Sequence, residues 1–512
     1  MEKYTVRQSG DSLQIPLLDK SVYTELSGDF ILPDYQPEIK RLLQVRASVL
    51  PPSKYVGDNG ADLAGGIDYY VLYTGSDNAL YCAPLNADYK VEIPLDGIEG
   101  IGDGYLNDLG CAVVSVPDML SARVLAPRKV NIKCRLKSRA QFFGEASLEN
   151  GAVEDEDGIQ VLRRGVSFVR RLSGMSDMIR VSDEMILDGR DGERRVISAD
   201  GRVLISETAI SGGNVICRGD LYLKLMLCGD DGDAPYVTVR KIPVSGSVAV
   251  EGAESGASAT ARGCVGELNI TVEEGRIGIE AGVLLDVEVV GGNDVSFIKD
   301  VYSVSRKAEN HYRSLPVITS ASCFGGNFTL SDSLKVDELG IAQGSRVVDI
   351  SGVAQTDDVV AEDDICAAHG RVKLSLLCEK DGEYSVAEAE VPFTYRVPVS
   401  GEFDRAMATA EVISARARAD GALVGVDAEI GVTGMAMLCK NEKMLFEIGF
   451  GDAIERGRGE TVVCYPSGED TLWSVAKRYG ALLESIRRAN GIKSDAESDS
   501  RATLEGVKYL VI

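Results

Sequence analysis

The chain has 512 residues, 45% of them apolar, which is enough for three or four domains with sizeable cores. It carries 54 basic and 79 acidic residues, a net charge of −25. That balance excludes a nucleic-acid binder, whose phosphate contacts need a basic surface, and it disfavours unaided adhesion to anionic lipid.

In chain order, the first distinctive stretch is residues 30–45, Phe-Ile-Leu-Pro-Asp-Tyr-Gln-Pro-Glu-Ile-Lys-Arg-Leu-Leu-Gln-Val. Pro37 suits the first turn of a short helix, with Ile39, Leu42 and Leu43 on one face. From there to about residue 450 the pattern is β. Short runs of Val, Ile, Leu and Tyr alternate with polar residues and are punctuated by Gly, Asp and Asn. The pairs Gly65-Gly66 and Gly325-Gly326 read as turns.

A long-range repeat runs through this region. Residues 67–73, 221–228 and 371–378 are apolar runs, each followed by an acidic or Gly-containing turn and then by a second β run that closes on Gly97, Gly252 or Gly401. From the end of the first run to the closing Gly the spacing is 24, 24 and 23 residues. A second block follows each: residues 122–134, then 268–272 with 277–287, then 411–417 with 422–430. So long a period predicts three copies of a whole β domain, not a solenoid. The expected fold class is mainly β: three tandem sandwich- or barrel-like repeats over residues 17–150, 165–300 and 305–450, then a polar linker over 451–460. The Pro-rich segment and the Tyr-rich run of the first unit resemble the SPOCS domain of bacterial endospore-coat morphogenesis proteins.

Residues 461–512 read differently. A short β segment ends at Cys464, and Asp470 stands where a helix N-cap belongs. Leu472, Val475, Ala476 and Tyr479 recur at helical steps, and Gly480 is a stop. Leu483, Ile486 and Ala489 mark a second helix ended by Gly491, and residues 507–512 form a last β segment positioned to return beside the first. Trp473, the single tryptophan, reads first as packing and second as a sugar-stacking platform. This small α+β (βααβ) pattern resembles a LysM module. Several SPOCS-like domains followed by a LysM module is also the layout of the spore-coat family.

The resemblance implies two alternatives for what the module binds. In members that hold N-acetylglucosamine polymers such as peptidoglycan, a groove lies between two loops. The matching positions are Gly468, Asp470 and Thr471 in the first loop and Asn490, Gly491 and Ile492 in the second. In the spore-coat family the implied partner is the coat morphogenetic ATPase, with other coat proteins. There the acidic Asp495, Glu497 and Asp499 would meet a basic protein surface. Under that reading the chain is a scaffold made in the mother cell and recruited to the forespore surface.

No enzyme is expected. His311 and His369 are the only histidines, and neither accompanies a nucleophile motif. The same scarcity argues against a zinc site, and the chain has no phosphate-binding GxxxxGK[ST] loop, so neither metal nor cofactor is expected. Residues 1–10 lack the apolar core of a secretory signal, and no apolar run reaches membrane-spanning length. The protein is therefore expected to stay in the cytosol. The eleven scattered cysteines lack a CxxC pair and are expected to be free thiols.

Overall fold

The computed structural model describes residues 2–5, 11–96, 106–148, 158–186, 194–229, 234–273, 275–362, 364–399, 401–454, 461–493 and 503–512. A short strand, β1 (Glu2–Thr5), precedes three sets of longer ones. The first set is β2 (Asp11–Ile31), β3 (Arg41–Val49), β4 (Ser53–Gly57), β5 (Gly60–Thr74), β6 (Leu80–Pro94), β7 (Leu106–Ala126) and β8 (Lys129–Leu148). The second is β9 (Ile159–Met175), β10 (Ile179–Ile186), β11 (Arg194–Ser211), β12 (Asn214–Gly229), β13 (Tyr236–Ala249), β14 (Ser258–Glu273) and β15 (Arg276–Ser303). The third is β16 (Arg306–Lys335), β17 (Arg346–Glu362), β18 (Ile365–Lys380), β19 (Glu383–Pro398), β20 (Arg405–Asp420) and β21 (Leu423–Ala453). After these come β22 (Val463–Cys464), α1 (Leu472–Tyr479), α2 (Leu483–Asn490) and β23 (Leu510–Val511).

Pairing repeats with the strands. In each set the opening strand pairs antiparallel with the closing one: β2 with β8, β9 and β10 with β15, and β16 with β21. The closing strand also forms a hairpin with its predecessor, β7, β14 or β20. Between them, β3–β5–β6 and β17–β18–β19 each make a second sheet, whereas β11–β12–β13 stays joined to its set's other strands through the single Val203–Gly263 pair. Apolar residues of the two strand groups pack together, so each set has its own core. Val71, Tyr73, Ile132 and Leu136 belong to the first, Leu223, Leu225, Val283 and Leu285 to the second, and Leu374, Leu376, Val426 and Ile430 to the third.

The three sets also meet one another. β3, β11 and β17 each carry a one-residue register shift, at Leu43, Ile197 and Val348. A bulge turns its side chain out of the regular alternation. These three residues converge in one cluster with Leu72, Met226 and Leu377, one from each set. Polar contacts close the ring around it: Arg46 to Asp200 at 3.3 Å, Lys224 to Asp349 at 2.8 Å, and Gln44 to Ser351 at 3.1 Å. They join the first set to the second, the second to the third and the first to the third. The chain thus forms a pseudo-threefold body.

Three local expectations are corrected. The segment around Pro37 is not a helix. Its carbonyls are taken by distant donors instead: Arg128 bonds Pro33 and Gln36 at 2.9 and 2.8 Å, and the Tyr73 hydroxyl bonds Pro37 at 2.9 Å. Leu42 and Leu43 therefore start a strand. The Gly65-Gly66 and Gly325-Gly326 pairs lie inside β5 and β16, not at turns. A Cβ on Gly65 would come within 2.8 Å of the Tyr89 ring, so glycine is what lets that ring lie across the strand. Last, β21 continues to Ala453 and occupies the start of the stretch read as a linker; residues 455–460 lie outside the described residues.

Candidate functional site

The C-terminal module begins with the pairing of β22 and β23, Val463 with Val511 and Cys464 with Leu510. Cys464 and Leu510 turn inward onto Leu472, Val475 and Ala476 of α1 and Leu483 and Ile486 of α2. Tyr479 and Ala489, on the same sequence stripes, stay exposed. Gly480 and Gly491 end the two helices with φ of 59° and 66°, the left-handed conformation glycine takes without steric cost.

The N-cap differs from the expectation by one residue. Thr471, not Asp470, caps α1: its hydroxyl accepts from Ser474 N–H at 3.2 Å, and the Ser474 hydroxyl accepts from Thr471 N–H at 2.9 Å. Asp470 is only 6% exposed. Its carboxylate accepts from Ser467 N–H at 2.9 Å and pairs with both terminal nitrogens of Arg478. The Arg478 hydrogen bond, then the Ser467 amide, hold its pKa down to about 2.

The two groove loops are tied together where they leave the helices. Thr471 bridges Thr503, and Leu504 N–H donates to the Asp470 carbonyl at 2.8 Å. Asn490 closes the other side. Its amide nitrogen donates to the Val511 carbonyl at 2.7 Å, and its amide oxygen accepts from Val511 N–H at 2.8 Å. Ile492 packs partly against the module core. The side chains of Asp470 and Asn490 are thus spent on internal bonds, Asp470 to Ser467 and Arg478 and Asn490 to Val511. Gly468 and Gly491 are exposed, with open space where a Cβ would stand. A ligand there would meet mainly backbone and the Thr471 hydroxyl. Asp495, Glu497 and Asp499 lie outside the described residues.

Reading the sequence missed how the module sits on the body. Asp300, on β15, accepts from Trp473 Nε1 at 2.9 Å and from Lys477 Nζ at 2.6 Å. It also accepts from the Tyr312 hydroxyl and the Asn310 amide, each at 2.8 Å. Burial raises its pKa, but the hydrogen bonds from Lys477, Trp473 and Tyr312 outweigh that, and the net shift is downward. Tyr302, two residues on, meets the Trp473 ring edge-on at 5.0 Å and donates to the Ala481 carbonyl at 2.8 Å. Trp473 is 5% exposed and belongs to packing. No local signal links Asp300 to Trp473; a distant pairing of this kind leaves no spacing to read.

Among the described residues no group of three or more His, Cys, Asp or Glu is placed to hold a metal ion, and no helix is long and apolar enough to cross a membrane. The eleven cysteines are free thiols, eight of them buried. No curated protein matches the chain. Residues 469–496, the segment from the first groove loop through α2, match the LysM domain family, so this chain carries a LysM module docked on a β body of three repeats.

Proposed function

We propose that this protein is a non-enzymatic binder of N-acetylglucosamine polymers such as peptidoglycan, with the LysM module as the binding element and the three-repeat body as its rigid carrier. The observation that carries the reading is the direction of the docked module. α1 turns Trp473 and Lys477 toward the body, while Gly468 and Gly491 at the groove loops stay exposed. A groove of backbone amides and small residues suits neutral N-acetyl groups, which need hydrogen bonds and no counter-charge. Co-sedimentation with purified peptidoglycan tests it. The full chain is expected to pellet with the polymer. Gly468→Trp, which fills the open space at the first loop, is expected to weaken retention at least about tenfold with the unfolding midpoint unchanged. Retention equal to that of the parent would sink the groove assignment.

A second reading has its own support. Asp470 and Asn490 are locked internally, which leaves the groove few free side chains for a sugar. A protein-docking LysM module does not need them. With the resemblance of residues 30–73 to SPOCS domains, this favours a spore-coat scaffold, made in the mother cell and docked on the coat morphogenetic ATPase at the forespore surface. Pull-down from sporulating cells beside the peptidoglycan assay separates the two. Capture of the ATPase without peptidoglycan retention would replace the first reading by the second.

A further inference from the structure

With Trp473 turned into the body, the exposed aromatic rings of the module lie elsewhere. The register of β22 and β23 pairs Val463 with Val511, and hydrogen bonds continue it outward to Val462 and Ile512. Tyr465 and Tyr509 are the residues next to the last pair, Cys464 with Leu510, one just after the end of β22 and one just before the start of β23. Alternation puts both on the face away from the buried Cys464 and Leu510, beside Val463 and Val511. Tyr465 is 77% exposed, Tyr509 58% and Val463 47%. This outer face carries no charged side chain at those four positions.

Its place along the chain matters. In chain order Tyr465 opens the first groove loop, and Tyr509 follows the second and leads into β23. Residues 461–512 contain seven Lys and Arg and seven Asp and Glu, so the whole charge of −25 belongs to the rest of the chain. A neutral ligand approaching this module meets no net charge on it. Resting on the glycan reading above, we infer that Tyr465 and Tyr509 form a second saccharide subsite, a stacking platform that takes the pyranose rings of a β-linked N-acetylglucosamine chain as it leaves the groove. The adjoining pair Cys464–Leu510 has the cross-strand spacing of about 5 Å between Cβ atoms, so the two rings flank the end of the ladder at roughly the spacing of one sugar ring. Stacking on an aromatic face needs no sequence of charged contacts.

The test compares chitotriose and chitooctaose binding by the full chain, with peptidoglycan glycan strands as a third probe. Tyr465→Ala with Tyr509→Ala is expected to weaken octaose and glycan-strand binding about tenfold and to leave triose affinity within about twofold. Tyr465→Phe with Tyr509→Phe, which keeps both rings, is expected to restore long-chain affinity. Unchanged octaose affinity in the alanine variant overturns the inference, and so does an equal loss for both sugars. A dimer of the parent chain that the alanine variant abolishes would also overturn it, by making the face a contact between copies. If the parent binds neither sugar, the glycan reading fails and takes the subsite with it. If the parent binds both and the variant changes nothing, only the subsite fails.

Discussion

At the residue scale, the module depends on side chains that the family pattern marks as groove positions but that the fold uses internally. Asp470 illustrates the consequence. Its pKa is lowered in the folded state, so its contribution is complete above the ordinary carboxylate range and is lost as pH falls toward about 2. Asp470→Asn removes the charge that Arg478 meets and is expected to lower module stability by about 1–3 kcal/mol at pH 7. The loss should shrink as the pH of a denaturation series approaches 2. A constant loss across that range would mean that the Arg478 pair contributes nothing. Asn490→Ala leaves Val511 without its two side-chain partners and is expected to cost about 1–3 kcal/mol, read by amide exchange at Val511. Sequence alone places Asp470 just ahead of α1, because glycines and helical stripes fix the module, but it puts Asn490 in the second loop, whereas Asn490 is the last residue of α2. It assigns the cap to Asp470 because both Asp and Thr are good caps; only Arg478, eight residues on, decides which oxygen is free.

At the element scale, the contact between β15 and α1 is made by the Asp300 carboxylate, which takes the Trp473 indole and the Lys477 ammonium, and by the Tyr302 ring against Trp473. The closing strand of the third repeat offers the same kind of extension, and there β1 pairs with residues 447–450. In the second repeat the extension carries Asp300 and Tyr302, and α1 packs on it. Trp473 is the sole tryptophan, so its emission reports this contact alone. Asp300→Asn is expected to shift that emission to the red and to speed quenching by iodide, with the far-ultraviolet spectrum unchanged. Since the Asp300 pKa is lowered on folding, the parent should show the same red shift as pH drops below the carboxylate range, while Asp300→Asn should show a smaller change. The strands themselves were readable, because period-two alternation and glycine turns act locally. The Pro37 segment was not, since the residues that set its shape are distant in sequence: Arg128 in the turn between β7 and β8, and Tyr73 on β5.

At the scale of the whole molecule, the repeat read from spacing becomes a ring of three. Its center includes the bulge residues Leu43, Ile197 and Val348, which no alternation pattern foretells. The cluster of Ile197, Met226, Leu72 and Leu377 couples the sets, so the body is expected to unfold in one transition. Met226→Ala is expected to lower its midpoint, at a cost of about 2–5 kcal/mol, without splitting it. Three separated calorimetric transitions in the parent would show that the sets are independent. A fragment holding the first set alone would leave Leu43 and Leu72 facing water, and it is expected to aggregate or expose dye-binding surface.

The pairing of β1 with the far end of β21 has a consequence for synthesis. Residues 2–5 leave the ribosome long before their partners 447–450, which lie near the end of the last strand of the body. At typical elongation rates the early strand waits on the order of tens of seconds with an unpaired edge. The repeats can build their sheets one after another during that wait, but the ring cannot close until the third is made. A stalled or truncated chain would therefore present both a free strand and an open ring edge, and these are the surfaces a chaperone or protease would meet first.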